Sequence, residues 1–378
     1  MSFVPVTTPE FRKQCADRLA AARARVPAMA AFIGLDGFVD EIIHVVDKRK
    51  DAESFKRLPT IASLAERLAS AAGKSTNIEL VKERVKLGGN GPIMANALAV
   101  AGLKVTYVGA LGFPAVHPVF EDLGKRAEVH SVAEAAHTDA LEFEDGKLML
   151  GKMTPLNELT WPNIQARFGR DRFAEKLASA DLVGFVNWTM VPYMSDIWEA
   201  LLKELCPGLR GPKRKLFFDL ADPEKRTQED ILRALKLIEQ FSRYFNVILG
   251  LNEREAFLIG RTLGVNRSDH SPDGVAQLAL EIHRHVPVDT LAVHPVTYAL
   301  AVSKGTAVLV AGPHIAKPAI TTGAGDHFNA GFCLAKLLGL PNDLCVLTGV
   351  CTSGFYVQNA RTPNLDDLIG FLTNWPVK

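Results

Sequence analysis

Short apolar segments alternate with helical patterns along the chain, and this alternation limits the fold more than any other feature of the sequence. The segments that we predict to be strands are Ala28–Ile33, Lys104–Gly109, Asp181–Asn187, Lys215–Leu220, Val247–Leu251, Thr290–Val293 and Ala307–Val310. Short, continuously apolar strands are typical of a parallel sheet covered on both faces. We therefore expect a three-layer α/β/α fold with a mostly parallel central sheet, whose ligands bind beyond the carboxyl ends of the strands.

The length and composition fit one large domain, or a domain plus a smaller piece, and exclude several classes of protein. The chain has 378 residues, of which 48% are hydrophobic, and its formal net charge is +1. A nearly neutral chain gives no reason to expect a nucleic acid or an acidic membrane as partner, and no apolar run is long enough to span a bilayer. The five cysteines have no metal-ligand spacing, and such a sparse, odd number fits a reducing compartment, so we expect a cytoplasmic protein.

Two stretches between the predicted strands of the sheet have a different character. Residues 51–85 are rich in charged side chains, and we expect them to be mostly helical. The stretch from Val129 to Met153 predicts short strands with a turn at Glu144–Lys147.

A run of small residues leads into Asp326, and an apolar helical pattern follows from about Phe328 to Leu338. The small residues are Gly323, Ala324 and Gly325. Their backbone N–H groups are little hindered, and a helix N-terminus there would add unpaired donors and partial positive charge, which together suit a phosphate. Asp326 would stand beside that phosphate as a proton acceptor, as phosphoryl transfer requires. The alternative is a glycine-rich turn, capped by Asp326, that serves only packing.

The segment Thr322-Gly323-Ala324-Gly325-Asp326 resembles the C-terminal signature of the PfkB (ribokinase-like) family of carbohydrate kinases. The resemblance implies that Gly323–Gly325 form an anion hole, that Asp326 is the catalytic base, and that Thr322 lies at the nucleotide. It also implies one ribokinase-like domain over residues 1–378, with a small β lid drawn from segments within about 37–50 and 104–155. Because lids in this family often pair, a homodimer through the lid is a further expectation.

Polar residues in the first half of the chain are candidates for binding the acceptor. Asp36 and Asp40 follow the first predicted strand, and the resemblance implies that one of them, with Asp40 the better match, binds substrate hydroxyls. Gly89 and Asn90 open a small-residue helix that resembles the family's N-terminal signature; Gly89 would allow close approach of a sugar, and Asn90 offers donors and acceptors. Asn187 ends a predicted strand that faces the pocket. The alternatives are a turn aspartate with a helix cap, and a tight helix entry.

Candidates for the nucleotide and metal lie in the second half. Asn252 and Glu255 form an Asn-x-x-Glu motif where a strand gives way to a helix; they could hold Mg²⁺ through waters, although an Asn with Glu three residues later is also a capping box. By resemblance, His294 and Thr297 occupy a loop near the nucleotide. That loop lacks the glycines of ATP-using relatives, which leaves ADP open as the donor. Asn359 is placed by resemblance near the adenine and a monovalent-cation site.

Taken together, these features predict a kinase that transfers the γ-phosphoryl group of ATP to a hydroxyl of a sugar or sugar derivative, with Mg²⁺ as cofactor. One alternative is a nucleoside or vitamin-alcohol kinase of the same fold, which an aromatic clamp would favour; Phe38, Phe113 and Trp188 leave it open. A second alternative is a sugar-binding relative without catalytic activity.

Overall fold

The computed structural model describes residues 3–377. Its strands are β1 (Ala30–Gly34), β2 (Phe38–Arg49), β3 (Phe55–Arg57), β4 (Leu80–Gly88), β5 (Lys104–Ala110), β6 (Glu128–Ala133), β7 (Ala136–Phe143), β8 (Gly146–Lys152), β9 (Leu182–Phe185), β10 (Lys215–Asp219), β11 (Asn246–Asn252), β12 (Thr290–His294), β13 (Tyr298–Ser303) and β14 (Thr306–Ala311). Its α-helices are α1 (Pro9–Ala22), α2 (Ile61–Ser70), α3 (Asn90–Val100), α4 (Glu121–Gly124), α5 (Trp161–Arg167), α6 (Arg170–Ser179), α7 (Met194–Glu204), α8 (Gln228–Phe241), α9 (Glu253–Thr262), α10 (Pro272–His285), α11 (Ala324–Leu337), α12 (Asn342–Asn359) and α13 (Leu365–Thr373).

The central sheet has nine strands in the order β14-β13-β12-β11-β10-β9-β1-β5-β6. The strands from β12 to β6 are parallel, and only β13 and β14 add an antiparallel hairpin at one edge. Neighbouring residues of one strand belong to two separate hydrophobic cores: Phe32 and Phe218 pack with α5–α10, whereas Ile33 and Phe217 pack with α1, α3 and α11–α13. The prediction of a three-layer α/β/α fold with a mostly parallel sheet is therefore confirmed.

A second sheet of five strands stands apart from the first. Its order is β3-β2-β7-β8, and β4 also pairs with β2. One face of this small sheet packs against α2 through its own buried cluster, which consists of Ile43, Val45, Leu58, Leu64, Leu141 and Phe143. The predicted strands and turn between Val129 and Met153 are present as β6, β7 and β8, although β6 joins the central sheet.

The expectation that residues 51–85 are mostly helical was wrong. These residues contain a single α-helix, α2, and also β3 and most of β4. Both strands lie outside the two segments from which we expected the lid. Most side chains of β4 are exposed on both faces, so its sequence Leu-Val-Lys-Glu-Arg-Val-Lys shows no alternation that could reveal a strand. Within residues 3–377, no helix is long and apolar enough to cross a membrane.

Candidate active site

A cleft of about 380 Å³ lies between the two sheets. The small sheet contributes residues of β2, β7 and β8, and the central sheet contributes the segments that follow β9, β10, β11 and β12. The N-terminal turn of α11 completes the wall. This is the position that a doubly covered parallel sheet offers to ligands, at the carboxyl ends of its strands.

The turn before α11 presents unpaired backbone donors to the cleft. Helix α11 begins at Ala324, four residues before the apolar pattern, because Gly323 takes a left-handed conformation (φ 91°) and ends the preceding turn. The N–H of Ala324 donates to Thr321 O at 3.1 Å. In the described part of the chain, the N–H groups of Gly323 and Gly325 donate no hydrogen bond to protein atoms. Two of the three amides proposed for the anion hole are thus available to a ligand.

Asp326 stands on the first turn of α11 and is only 7% exposed. Its Oδ1 accepts a hydrogen bond from Asn90 Nδ2 at 2.8 Å, which joins the N-termini of α3 and α11. Burial raises the pKa of Asp326 well above its usual value, and the nearby negative charges of Asp36 and Glu255 raise it further, while the Asn90 bond opposes both. Such a carboxylate is a stronger base than an exposed one.

A further acidic residue, Asp219, lies close to Asp326. Asp219 ends β10, and its Oδ2 accepts from Asn329 Nδ2 at 2.9 Å, whereas its buried Oδ1 has no partner among the described residues. Burial raises the pKa of Asp219 well above its ordinary value, and the negative charges of Glu255 and Asp326 raise it further. Asp219 had no predicted role, because an aspartate at a strand end carries no signal until its neighbours are known.

Asn252 and Glu255 form a capping box at the start of α9, as the sequence allowed. Asn252 Oδ1 accepts from the N–H of Glu255 at 2.9 Å, and Glu255 Oε2 accepts from the N–H of Asn252 at 2.8 Å. Glu255 Oε1 accepts from the N–H of Asp222 at 2.9 Å. Burial raises the pKa of Glu255 despite these bonds. Both residues also line the cleft, so capping does not exclude a role in binding.

The two candidate acceptor aspartates differ in position. Asp40, on β2, lines the cleft. Asp36 is fully buried behind the wall, where Gly91 N–H and Asn187 Nδ2 donate to its carboxylate at 2.9 Å and 2.7 Å. Tyr107 also donates to this residue, and burial raises the pKa of Asp36 to about 6. Asp36 therefore organises the wall, and Asp40 is the one of the two aspartates that lines the cleft.

Gly89, Asn90 and Asn187, which the sequence proposed as acceptor-binding residues, line the cleft. Gly89 has a positive φ of 92°, and a Cβ there would lie 2.8 Å from Asp36 Oδ2. Asn187 also has a left-handed backbone (φ 60°), and its buried Oδ1 has no partner in the described chain. An amide oxygen held without a partner beside a cleft can accept a hydrogen bond from a ligand hydroxyl.

The remaining nucleotide candidates divide into two groups. His294 and Thr322 line the cleft, and His294 lies against Gly325, where an added Cβ would be 3.2 Å from His294 Cε1. Burial lowers the pKa of His294 to about 4, so its imidazole is neutral near pH 7. Thr297 and Asn359 are exposed and are not among the cleft residues. The cleft residues that sequence reasoning missed are Ile93, Thr138, Met149, Gly151, Met153, Met190, Asp219, Ala221, Asp222, Lys225 and Thr321.

A family model described as prokaryotic ketohexokinase matches residues 6–375. The chain belongs to the prokaryotic ketohexokinase family. A ketohexokinase from Haloferax volcanii is 31% identical to this chain over 353 residues, which are 93% of this chain and 92% of the relative.

Solved structures carry the same fold. Ribokinase from Arabidopsis thaliana, complexed with ribose and ATP, has a TM-score of 0.62 at 17% identity and covers 91% of this chain and 98% of its own. Ribokinase from Thermotoga maritima has a TM-score of 0.62 at 16% identity and covers 92% and 99%. The resemblance to the PfkB (ribokinase-like) family and the prediction of a carbohydrate kinase are confirmed. This ketohexokinase-family member is a sugar kinase.

Proposed function

We propose that this protein transfers the γ-phosphoryl group of ATP to a hydroxyl of a ketohexose, with Asp326 as the general base. The observation that carries the proposal is the placement of a buried carboxylate of raised pKa next to two unpaired amides, in one cleft. Asp326 would take the proton of the attacking hydroxyl, and the N–H groups of Gly323 and Gly325 would stabilise the charge on the transferring phosphoryl group. Positioning and charge stabilisation are the main requirements of this reaction.

The acidic residues beside Asp326 suit a hydrated Mg²⁺. Within residues 3–377, no three metal-ligating side chains converge closely enough to hold an ion directly. Mg²⁺ usually keeps several waters and binds through one or two carboxylates and the substrate's phosphates, which matches Asp219, with its unpartnered Oδ1, together with Asn252 and Glu255. When bound, the ion would neutralise phosphate charge.

The cleft suits a sugar with several hydroxyl groups, and the relatives favour a ketohexose among sugars. Asp40 can accept two hydroxyl hydrogen bonds, and Asn90 and Asn187 offer further polar groups. Phe38 is the only Phe, Tyr or Trp among the described residues that line the cleft. The other two candidates for an aromatic clamp lie elsewhere: Trp188 is buried, and Phe113 packs against Arg167. A pair of rings that could clamp a nucleobase is therefore missing from the described cleft. This argues against the nucleoside alternative.

The test is phosphoryl transfer with Mg²⁺ to a panel of ketohexoses, aldohexoses, pentoses and nucleosides, using ATP and ADP separately. We expect ATP-dependent turnover that is strongest with a ketohexose, and NMR of the product would identify the hydroxyl. Asp326→Asn should lower turnover by roughly 10²–10⁴-fold.

A matched control is Asp122→Asn, which changes an exposed carboxylate outside the cleft and should leave turnover unchanged. Near-normal turnover of Asp326→Asn would refute the base. A preference for an aldose or a nucleoside would refute the acceptor, and turnover with ADP alone would refute the donor.

Dimerisation through the small sheet and a monovalent-cation site stay predictions. Sedimentation would test the first, and K⁺ titration of activity would test the second.

A further inference from the structure

The carbonyl groups of the turn before α11 are all occupied. Thr321 O accepts from the N–H of Ala324 at 3.1 Å, and Thr322 O accepts from the hydroxyl of Tyr356 at 3.0 Å. Gly323 O accepts from two groups of His327, the backbone N–H at 3.1 Å and Nδ1 at 2.7 Å. A carbonyl and the N–H of the next residue lie in one rigid peptide plane and point in opposite directions. A side chain that holds a carbonyl therefore also aims the following amide.

Tyr356 acts on one of the two available donors. The carbonyl that it holds shares a peptide plane with the N–H of Gly323, which is unpaired in the described chain. The carbonyl held by His327 shares its plane with the N–H of Ala324, which closes the turn on Thr321. One side chain therefore orients a donor of the anion hole, and the other fixes the turn on which that donor sits.

Tyr356 and His327 are themselves held in place. Their rings stack with centroids 3.6 Å apart and planes 13° from parallel. Because Gly323 O can only accept, Nδ1 of His327 carries the proton, and Nε2 then accepts from the hydroxyl of Thr362 at 3.0 Å. Burial lowers the pKa of His327 to about 4, so this neutral arrangement persists near pH 7.

None of these three side chains is among the cleft residues; all three line a neighbouring cavity instead. We propose that Tyr356, His327 and Thr362 are positioning residues that hold the turn before α11 in its phosphate-binding form before the substrates arrive. This inference rests on the proposed function of that turn. A donor already aimed at the transition state needs no reorganisation during the reaction, which is the main source of its catalytic effect.

The sharpest test is Tyr356→Phe, which keeps the stacked ring and removes only the hydroxyl. Loss of a whole anion-hole donor typically costs 10²–10³-fold in kcat, so we expect a misaimed donor to cost about tenfold, with the KM for the sugar changed less than twofold. The control is Tyr298→Phe, because the Tyr298 hydroxyl is buried without a partner among the described residues and its removal should leave kcat unchanged.

His327 allows a rescue experiment. An asparagine can place an N–H donor close to the position of Nδ1, so His327→Asn should recover most of the kcat that His327→Ala loses. An equal loss in both variants, or a normal kcat in Tyr356→Phe, would overturn the positioning role. A fall in kcat that merely follows a loss of folded protein, measured by urea denaturation, would overturn it as well.

A binding measurement separates this inference from the proposed function. ADP with aluminium fluoride and sugar imitates the transferring phosphoryl group, and Tyr356→Phe should bind this combination about tenfold more weakly while binding the sugar alone normally. Equal binding by wild type and Tyr356→Phe would overturn the inference. If Asp326→Asn is fully active, the proposed base fails whatever Tyr356 does; if Asp326→Asn is inactive and Tyr356→Phe is normal in both assays, only the positioning network fails.

Discussion

The bond from Asn90 to Asp326 should set the pH at which the enzyme becomes active. Asn90 Nδ2 donates to Asp326 Oδ1 at 2.8 Å and lowers the pKa that burial has raised. A hydrogen bond to a charged group contributes roughly 1.5–3 kcal/mol, and 1.36 kcal/mol corresponds to one pKa unit. Replacing Asn90 with alanine should therefore raise the pKa of Asp326 further.

The assay is kcat/KM for the sugar as a function of pH, since this parameter reports ionisations of the enzyme before the sugar binds. A base must be ionised to act, so a higher pKa moves the acid limb of the profile to higher pH. At pH values below the acid limbs of both enzymes, Asn90→Ala should be about 10- to 100-fold less active than wild type, because a loss of roughly 1.5–3 kcal/mol lowers the ionised fraction of Asp326 by about that factor. A lost sugar contact would lower kcat/KM equally at every pH and would not move the limb.

The shift also identifies the titrating group. Asp219 and Glu255 have raised pKa values too, but Asn90 donates to Asp326 and to neither of them. Asn246→Ala is a suitable control, because Asn246 lies at the opposite end of β11 and donates to Lys213 O. An acid limb that lies at the same pH in Asn90→Ala and in wild type would refute the reasoning.

Three further predictions concern the walls of the cleft. Asp36→Ala leaves several buried donors unpaired, so the free energy of unfolding in urea should fall by roughly 2–4 kcal/mol. Gly88→Ala places a Cβ within 2.4 Å of the Asp40 carboxylate, so the KM for the sugar should rise by about tenfold, as for a lost charged hydrogen bond, while the KM for ATP stays nearly constant. Gly325→Ala presses on His294, so kcat should fall several-fold, and adding His294→Ala should restore part of it in steady-state assays.

Much of the central sheet could be predicted from the sequence because its strands are buried on both faces. Phe217 and Phe218 are neighbours in β10 and both are fully buried, so the apolar run itself reports the strand. The same rule fails for β4, where backbone pairing with β2 holds the strand while most of its side chains face water. Strand pairing of this kind leaves no periodic signal in the sequence.

The candidate site was predictable where a motif combined residue type with spacing, as in Gly323–Asp326 and Asn252–Glu255. It was not predictable where a role depends on what surrounds a side chain. Asp36 and Asp40 differ little in sequence context, yet one is saturated by donors behind the wall and the other lines the cleft. His327 follows Asp326 directly, but its proposed positioning role depends on contacts with Tyr356 and Thr362, which are remote in the sequence.

The small sheet and α2 share a hydrophobic cluster that is separate from the two cores of the central sheet. A unit with so few buried apolar side chains should exchange its amide hydrogens through local opening, well before the rest of the molecule unfolds. Asp40 and Thr138 belong to this unit, whereas Asp326 belongs to the other side of the cleft. A sugar that contacts both sides of the cleft would slow amide exchange in β2 and β7. Substrate binding would therefore stabilise the small sheet, which has the smallest hydrophobic core of the protein, against local opening.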